Sequence, residues 1–147
     1  MVPTLNGRIQ TRIFALILIG GFTQLWLTPL LPQPAGMQLT ELYAATYALL
    51  VSVIMVGVAW ELIYHLLMQF RWEKDWPTLF GLLTMLNEGL LIWLLVKGGL
   101  VPFVPAELGL GTFVVDFAIV WLLTWIWVNG PMRVMSVHWR FRGGRLV

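Results

Sequence analysis

The sequence predicts an all-α integral membrane protein, with four transmembrane helices in an antiparallel bundle and both termini in the cytoplasm. Three observations predict this fold: few charged residues, four long apolar segments, and a one-sided distribution of Lys and Arg. Of the 147 residues, 59% are hydrophobic and only 11% are charged, whereas a soluble domain carries about 25% charged residues. Cysteine is absent, which excludes disulfides, thiolate metal sites and redox-active thiols.

Four apolar segments are long enough to cross a bilayer. A spanning helix needs about 20 mostly apolar residues, because the hydrocarbon core is about 30 Å thick and a helix rises about 1.5 Å per residue. The predicted spans are residues 13–31, 42–68, 78–96 and 112–128. They make up a transmembrane domain of residues 1–131, which a basic cytoplasmic tail of residues 132–147 follows.

The basic residues predict the orientation. They stand before the first span, between the second and third, and after the fourth: Arg8, Arg12, Arg71, Lys74, Arg133, Arg140, Arg142 and Arg145. The other two connectors hold only Lys97. Because basic connectors stay in the cytoplasm, we expect a multi-pass protein of the cell membrane with both termini inside.

Several polar side chains lie within the apolar segments. A carboxylate at the centre of a span costs about 2.5–3.5 kcal/mol, so such groups usually face the bundle interior or a partner. Glu61 lies about 10 Å, and Glu88 about 14 Å, from the cytoplasmic ends of their spans. The predicted polar intramembrane cluster consists of Gln24, Glu61, His65, Asn87 and Glu88. With no Lys or Arg expected at this depth, two such carboxyl groups in contact would not both stay ionised, so they would share a proton or one would donate a hydrogen bond to a neighbour.

Other polar residues have a local explanation. Asp116 lies about one turn inside the outer end of the fourth span, where a helix N-terminus favours negative charge. Glu61 and His65 share a helix face and are spaced like two metal ligands, but the sequence offers no second ligand cluster. A haem needs axial ligands that a single buried histidine does not supply. We therefore predict no metal and no cofactor.

The tail alternates apolar and polar residues from Met135 to Arg142, which is a strand period. This pattern predicts an extended segment on the membrane surface, with aromatic rings in the interface and arginines on anionic headgroups. A strand added to a partner's sheet is the other possibility. The residues predicted to contact lipid or a partner are Arg133, Trp139, Arg140, Phe141 and Arg142.

The sequence contains no HExxH, GxSxG, P-loop or dinucleotide-binding motif. We predict no catalytic residues and no enzyme activity. The short connectors and the small or polar helix faces favour a non-catalytic accessory or scaffolding subunit of a larger bacterial-type membrane complex. The alternative is a homo-oligomeric proton or ion conductor that uses the intramembrane carboxylates. The expected partners are the bilayer, including anionic headgroups, and other membrane subunits, with no nucleic acid.

Overall fold

The computed structural model describes residues 4–70 and 78–147, and all the regular secondary structure in these ranges is helical. Three helical segments in them are long and apolar enough to cross a membrane: Leu5–Leu30, Leu39–Gln69 and Leu110–Met135. This agrees with the prediction of a multi-pass membrane protein. Residues 71–77 of the connector between the second and third predicted spans, which include Arg71 and Lys74, lie outside the described residues.

The N-terminal helical segment begins earlier than predicted. It comprises α1 (Leu5–Ala15), a π-helical turn (Leu16–Gly20), α2 (Gly21–Leu27) and a 3-10 turn (Thr28–Leu30). Thr4 caps the first turn, its hydroxyl accepting a hydrogen bond from the Gly7 amide at 3.1 Å. Arg8 and Arg12 therefore lie inside the helix, whereas the sequence placed them before a span starting at residue 13.

The π-helical turn ends at Gly20, where two other helices approach the N-terminal segment closely. Its wider turn leaves a carbonyl to satisfy, and the Thr23 hydroxyl donates to the Ile19 carbonyl at 2.6 Å. A Cβ at Gly20 would press on Leu50 of the second long helix and on Val120 further along the chain. Glycine therefore allows three helical segments to meet at this level.

The remaining long helices are α3 (Leu39–Gln69), α4 (Thr78–Lys97) and α5 (Leu110–Asn129), all within three residues of the predicted bounds. A reciprocal capping box of Gln38 and Glu41 starts α3. Residue pairs run in opposite order along packed neighbours, which makes them antiparallel: Gly21 with Tyr47, Leu25 with Tyr43, Trp93 with Phe113, and Gly89 with Phe117. The N-terminal segment and α4 each contact both α3 and α5.

The tail is not extended, contrary to the prediction. It forms two short helices, α6 (Pro131–Met135) and α7 (Val137–Phe141). Gly143 and Gly144, both with positive φ, then turn the chain back onto α1, where the Thr4 amide donates to the Gly143 carbonyl at 2.9 Å. Five-residue helices are too short for periodicity to distinguish them from a strand, which explains the error.

Candidate functional site

Arg12 lies between two glutamates from different helices. Its guanidinium donates to both carboxylate oxygens of Glu88 on α4, from Nη1 to Oε2 at 2.6 Å and from Nη2 to Oε1 at 2.8 Å. Its Nε donates to Glu61 Oε1 on α3 at 3.0 Å. The Arg12 and Glu88 side chains are only 11% and 2% exposed. This two-point pairing with Glu88 is the strongest geometry available to an arginine–carboxylate pair.

A second arginine and a hydrogen-bonded pair complete this group. Arg8 Nη2 lies 2.7 Å from Glu61 Oε2, so each glutamate has an arginine at its carboxylate. The Tyr64 hydroxyl donates to Glu88 Oε1 at 3.3 Å and accepts from the Asn87 amide at 2.8 Å. We call Arg8, Arg12, Glu61, Tyr64, Asn87 and Glu88 the charged cluster. Two arginines and two glutamates make its formal charge zero.

Small and aromatic neighbours make room for the Arg12 side chain. A Cβ at Gly57, one turn before Glu61, would collide with the guanidinium. The Trp121 ring of α5 faces the guanidinium, with 5.3 Å from Arg12 Cζ to the ring centroid. Residues of α3, α4 and α5 thus surround the Arg12 guanidinium.

The structure brings Glu61 and Glu88 together, but through an arginine that the sequence analysis did not expect there. They converge on one arginine, and no proton has to be shared to remove a like-charge repulsion. The error arose because Arg12 was placed outside the membrane segment, whereas its long side chain follows the helix inward. Arg8, Arg12 and Tyr64 are the members of the charged cluster that the sequence analysis missed. The Thr4 cap was the available signal for an earlier helix start.

Gln24 does not belong to the charged cluster. It lies twelve residues after Arg12, about 18 Å further along the helix. There Gln24 Oε1 accepts from the Thr28 hydroxyl at 3.2 Å, and the hydroxyls of Thr28 and Thr46 lie 2.9 Å apart. Gln24 and Asp116, which is buried on α5, line the same small gap between the helices. We call Gln24, Thr28, Thr46 and Asp116 the neutral-donor cluster, because it contains no basic side chain.

His65 is close in sequence to the charged cluster but does not join it. Its side chain is half-buried, and Nδ1 has no hydrogen-bond partner among the described residues. The indole N–H of Trp60, on the same stretch of α3, is also unpartnered within the described ranges. The Trp60 ring stacks on Tyr64, with centroids 5.6 Å apart. Asn87 is exposed on the neighbouring α4.

A cavity of about 750 Å³ lies beside the charged cluster. Its floor is formed by buried or half-buried residues of α1 and α5, including Arg12 and Trp121. Its rim is formed by exposed residues of α6 and the tail. Three residues that the sequence predicted to contact lipid or a partner, Arg133, Arg140 and Phe141, lie on this rim.

The other two predicted tail contacts, Trp139 and Arg142, do not lie on the rim. The Trp139 indole N–H donates to the Thr11 hydroxyl at 2.6 Å, so this ring forms a wall of the cavity. Arg142 is exposed and does not line the cavity.

Chemically, the charged cluster is suited to holding helices in register and to presenting a neutralised, polar wall to the cavity. Within the parts of the chain that the structure describes, no group of three or more His, Cys, Asp or Glu side chains is arranged to hold a metal ion. The chain matches no protein-family model, no curated protein and no solved structure.

Proposed function

We propose that this chain is a small, non-catalytic membrane subunit that binds another membrane protein through the face formed by α3 and α4. The observation that carries the proposal is the exposed amide of Asn87 in the middle of α4. Its one hydrogen bond among the described residues goes to the Tyr64 hydroxyl. An amide left against acyl chains is costly, and polar side chains on a span usually face protein.

Neighbouring groups on this face extend the argument. Trp60 stacks on Tyr64, and the Trp60 indole N–H has no acceptor within the described residues. His65 adds an unpartnered ring nitrogen on the same helix. A transmembrane helix that offers a hydroxyl or carbonyl group would satisfy the exposed Asn87 amide, whereas the Trp60 and His65 nitrogens are buried beneath this face. We call Trp60, Tyr64, His65 and Asn87 the partner face.

We further propose four spans with both termini in the cytoplasm. Thr4 and Gly143 are hydrogen-bonded, so the two ends of the chain lie on one side of the membrane. An even number of crossings must therefore separate them. The three long segments supply an odd number, and α4, with 20 residues packed antiparallel to its neighbours, supplies the fourth. The basic residues favour the cytoplasm for this side.

The competing proposal is a homo-oligomeric proton or ion conductor. A conductor of that kind needs a carboxylate that is free to exchange its charge partner or its proton. Both glutamates of the charged cluster are instead held by arginines. This arrangement favours a structural role for the cluster, so we place the accessory subunit first.

A pull-down from native membranes in mild detergent, followed by mass spectrometry, tests the accessory role. We expect the wild-type chain to recover a different membrane protein in a fixed ratio, and Asn87→Leu to lose it. Leu122→Ala, which trims an exposed apolar side chain of α5 instead, should retain the partner. Helical content and unfolding of the isolated chain should be the same in both variants, because Asn87 contributes one partly exposed hydrogen bond.

Two outcomes would overturn the proposal. A pure homo-oligomer in native mass measurements would rule out the proposal that the chain is a subunit of a heteromeric complex. If liposomes containing that homo-oligomer carried a proton or ion flux that Glu61→Gln abolished, the conductor would replace it.

Thiol labelling tests the topology, because the natural chain has no cysteine. Ala35→Cys, in the connector before α3, should react with a membrane-impermeant reagent in intact cells. Arg142→Cys should react only after the cells are opened. Labelling of both positions from outside would contradict four spans with the termini inside.

A further inference from the structure

We propose that the cavity beside the charged cluster is a binding site for one anionic phospholipid, with the headgroup at the arginine rim and part of an acyl chain between α1 and α5. This site is independent of the partner face, which lies on α3 and α4. A volume of about 750 Å³ falls within the range of small-molecule pockets, about 300–1,000 Å³.

The charge of the cavity favours an anion. Four arginines and one glutamate line it: Arg8, Arg12, Arg133, Arg140 and Glu61. Four positive charges against one negative leave an excess of three, and Glu88, which lies behind Arg12, reduces the excess to two.

The arginines of the cavity differ in whether a carboxylate compensates their charge. Arg8 and Arg12 are paired with glutamates, whereas Arg133 and Arg140 have no carboxylate within ion-pair distance among the described residues. Arg133 donates to the Asn129 side chain, and Arg140 lies against the Phe141 ring. The uncompensated charge is therefore at the rim, where a phosphate headgroup sits in a bilayer.

The walls of the cavity favour an apolar chain below that headgroup. Trp121, Trp125 and Val128 line it along α5, and the first and last of these are about 10 Å apart along the helix axis. Trp139 of the tail closes the opposite side. Aromatic rings with a polar edge are suited to the boundary between headgroup and acyl chain.

One polar atom interrupts the apolar wall. Thr124 lines the cavity, and its buried hydroxyl has no hydrogen-bond partner among the described residues. Buried polar groups normally have a hydrogen-bond partner. If a rotation about the Thr124 Cα–Cβ bond turned this hydroxyl into the cavity, an ester carbonyl of a phospholipid, which lies between the phosphate and the acyl chain, would be a suitable acceptor.

The test measures lipid retention by native mass spectrometry of the full chain, with phosphatidylglycerol and phosphatidylcholine as the probes. We expect one phosphatidylglycerol per chain to survive delipidation, and phosphatidylcholine to be lost. Arg140→Gln should weaken phosphatidylglycerol binding about tenfold, because a charged hydrogen bond to the phosphate is removed. Arg142→Gln is the matched control, since it removes the same charge two residues away and outside the cavity.

A second variant separates a built site from general attraction to the surface. Thr124→Phe fills the cavity without changing any charge, and we expect it to abolish retention. Both Arg140 and Thr124 can be changed without touching an ion pair, so thermal unfolding of the lipid-free chain provides the check on folding. Equal losses for Arg140→Gln and Arg142→Gln, or unchanged binding in Thr124→Phe, would overturn the proposal.

A phosphate group in this site would come either from a phospholipid or from free phosphate, and inorganic phosphate as a probe distinguishes these two sources. If phosphate alone at millimolar concentration displaced phosphatidylglycerol and stabilised the chain equally, the site would bind the free anion and the lipid assignment would fall. Stabilisation by phosphatidylglycerol with no effect of phosphate would support the lipid.

Discussion

The charged cluster and the neutral-donor cluster both join several helices inside the bundle, but they do so with different chemistry. Around Arg12, full charges are matched one to one, with Glu61 and Glu88 held at 2.6–3.0 Å. Around Thr28, hydroxyl and amide groups meet, and the Thr28 and Thr46 oxygens lie 2.9 Å apart. A charge without its partner is far more expensive to bury than a hydroxyl.

The fold therefore tolerates the loss of a polar contact in the neutral-donor cluster better than in the charged cluster. The neutral-donor cluster can lose one hydrogen bond, because a hydroxyl also reaches a backbone carbonyl of its own helix. Thr46 has this alternative, because its hydroxyl also lies 3.1 Å from the Tyr43 carbonyl. No backbone group can replace the two carboxylates that compensate the charge of Arg12. The charged cluster therefore fixes the register of α1 against α3 and α4, and the neutral-donor cluster mainly allows close approach.

Arg12→Gln should have the largest effect on stability. It leaves Glu88 buried without its cation, and breaking a buried pair costs about 3–5 kcal/mol. We expect this loss in the free energy of unfolding, measured by denaturant titration in micelles with circular dichroism. Arg142→Gln, at an exposed site, should change it by less than about 0.5 kcal/mol.

The double variant Arg12→Met with Glu88→Gln tests whether charge matching or packing explains the stability of the cluster. It removes both charges and leaves the Arg8–Glu61 pair in place. We expect most of the lost stability to return, since replacing a whole buried pair is often nearly neutral. A double variant as unstable as Arg12→Gln would mean that packing, and not charge matching, explains the cluster.

Gly57→Leu should have the next largest effect. The new side chain would occupy the space of the Arg12 guanidinium, and overpacking costs about 1–3 kcal/mol. Gly21→Leu is the control, because nothing lies within 4 Å of a Cβ at that position. Gly57→Leu should therefore be less stable to unfolding than Gly21→Leu. Equal stabilities would mean that the Arg12 side chain moves away at little cost.

Thr46→Val should have the smallest effect. It removes the hydrogen bond to Thr28 but keeps the shape of the side chain, and such interhelical bonds average about 0.6 kcal/mol in a membrane protein. Thr40→Val, at an exposed position near the start of α3, is the control. A loss comparable to that of Arg12→Gln would contradict the distinction between the two clusters.

The sequence predicted the site in part. Depth along each helix brought Glu61 and Glu88 to one level, because rise per residue is constant and the spans start at known boundaries. The same depth estimate was wrong for Gln24, which it placed at mid-membrane with the two glutamates. The N-terminal helix starts eight residues before the predicted boundary at residue 13, and this shift brings Arg12, not Gln24, to the level of Glu61.

By itself, the sequence determined the membrane class and the helical segments. These follow from apolar length and from the need of each segment to satisfy its own backbone in lipid. Only the tertiary structure decided which charges meet, that the tail folds back on α1, and that a cavity remains beside Arg12. Those features depend on helix rotation and on contacts between distant residues such as Thr4 and Gly143, which no local pattern encodes.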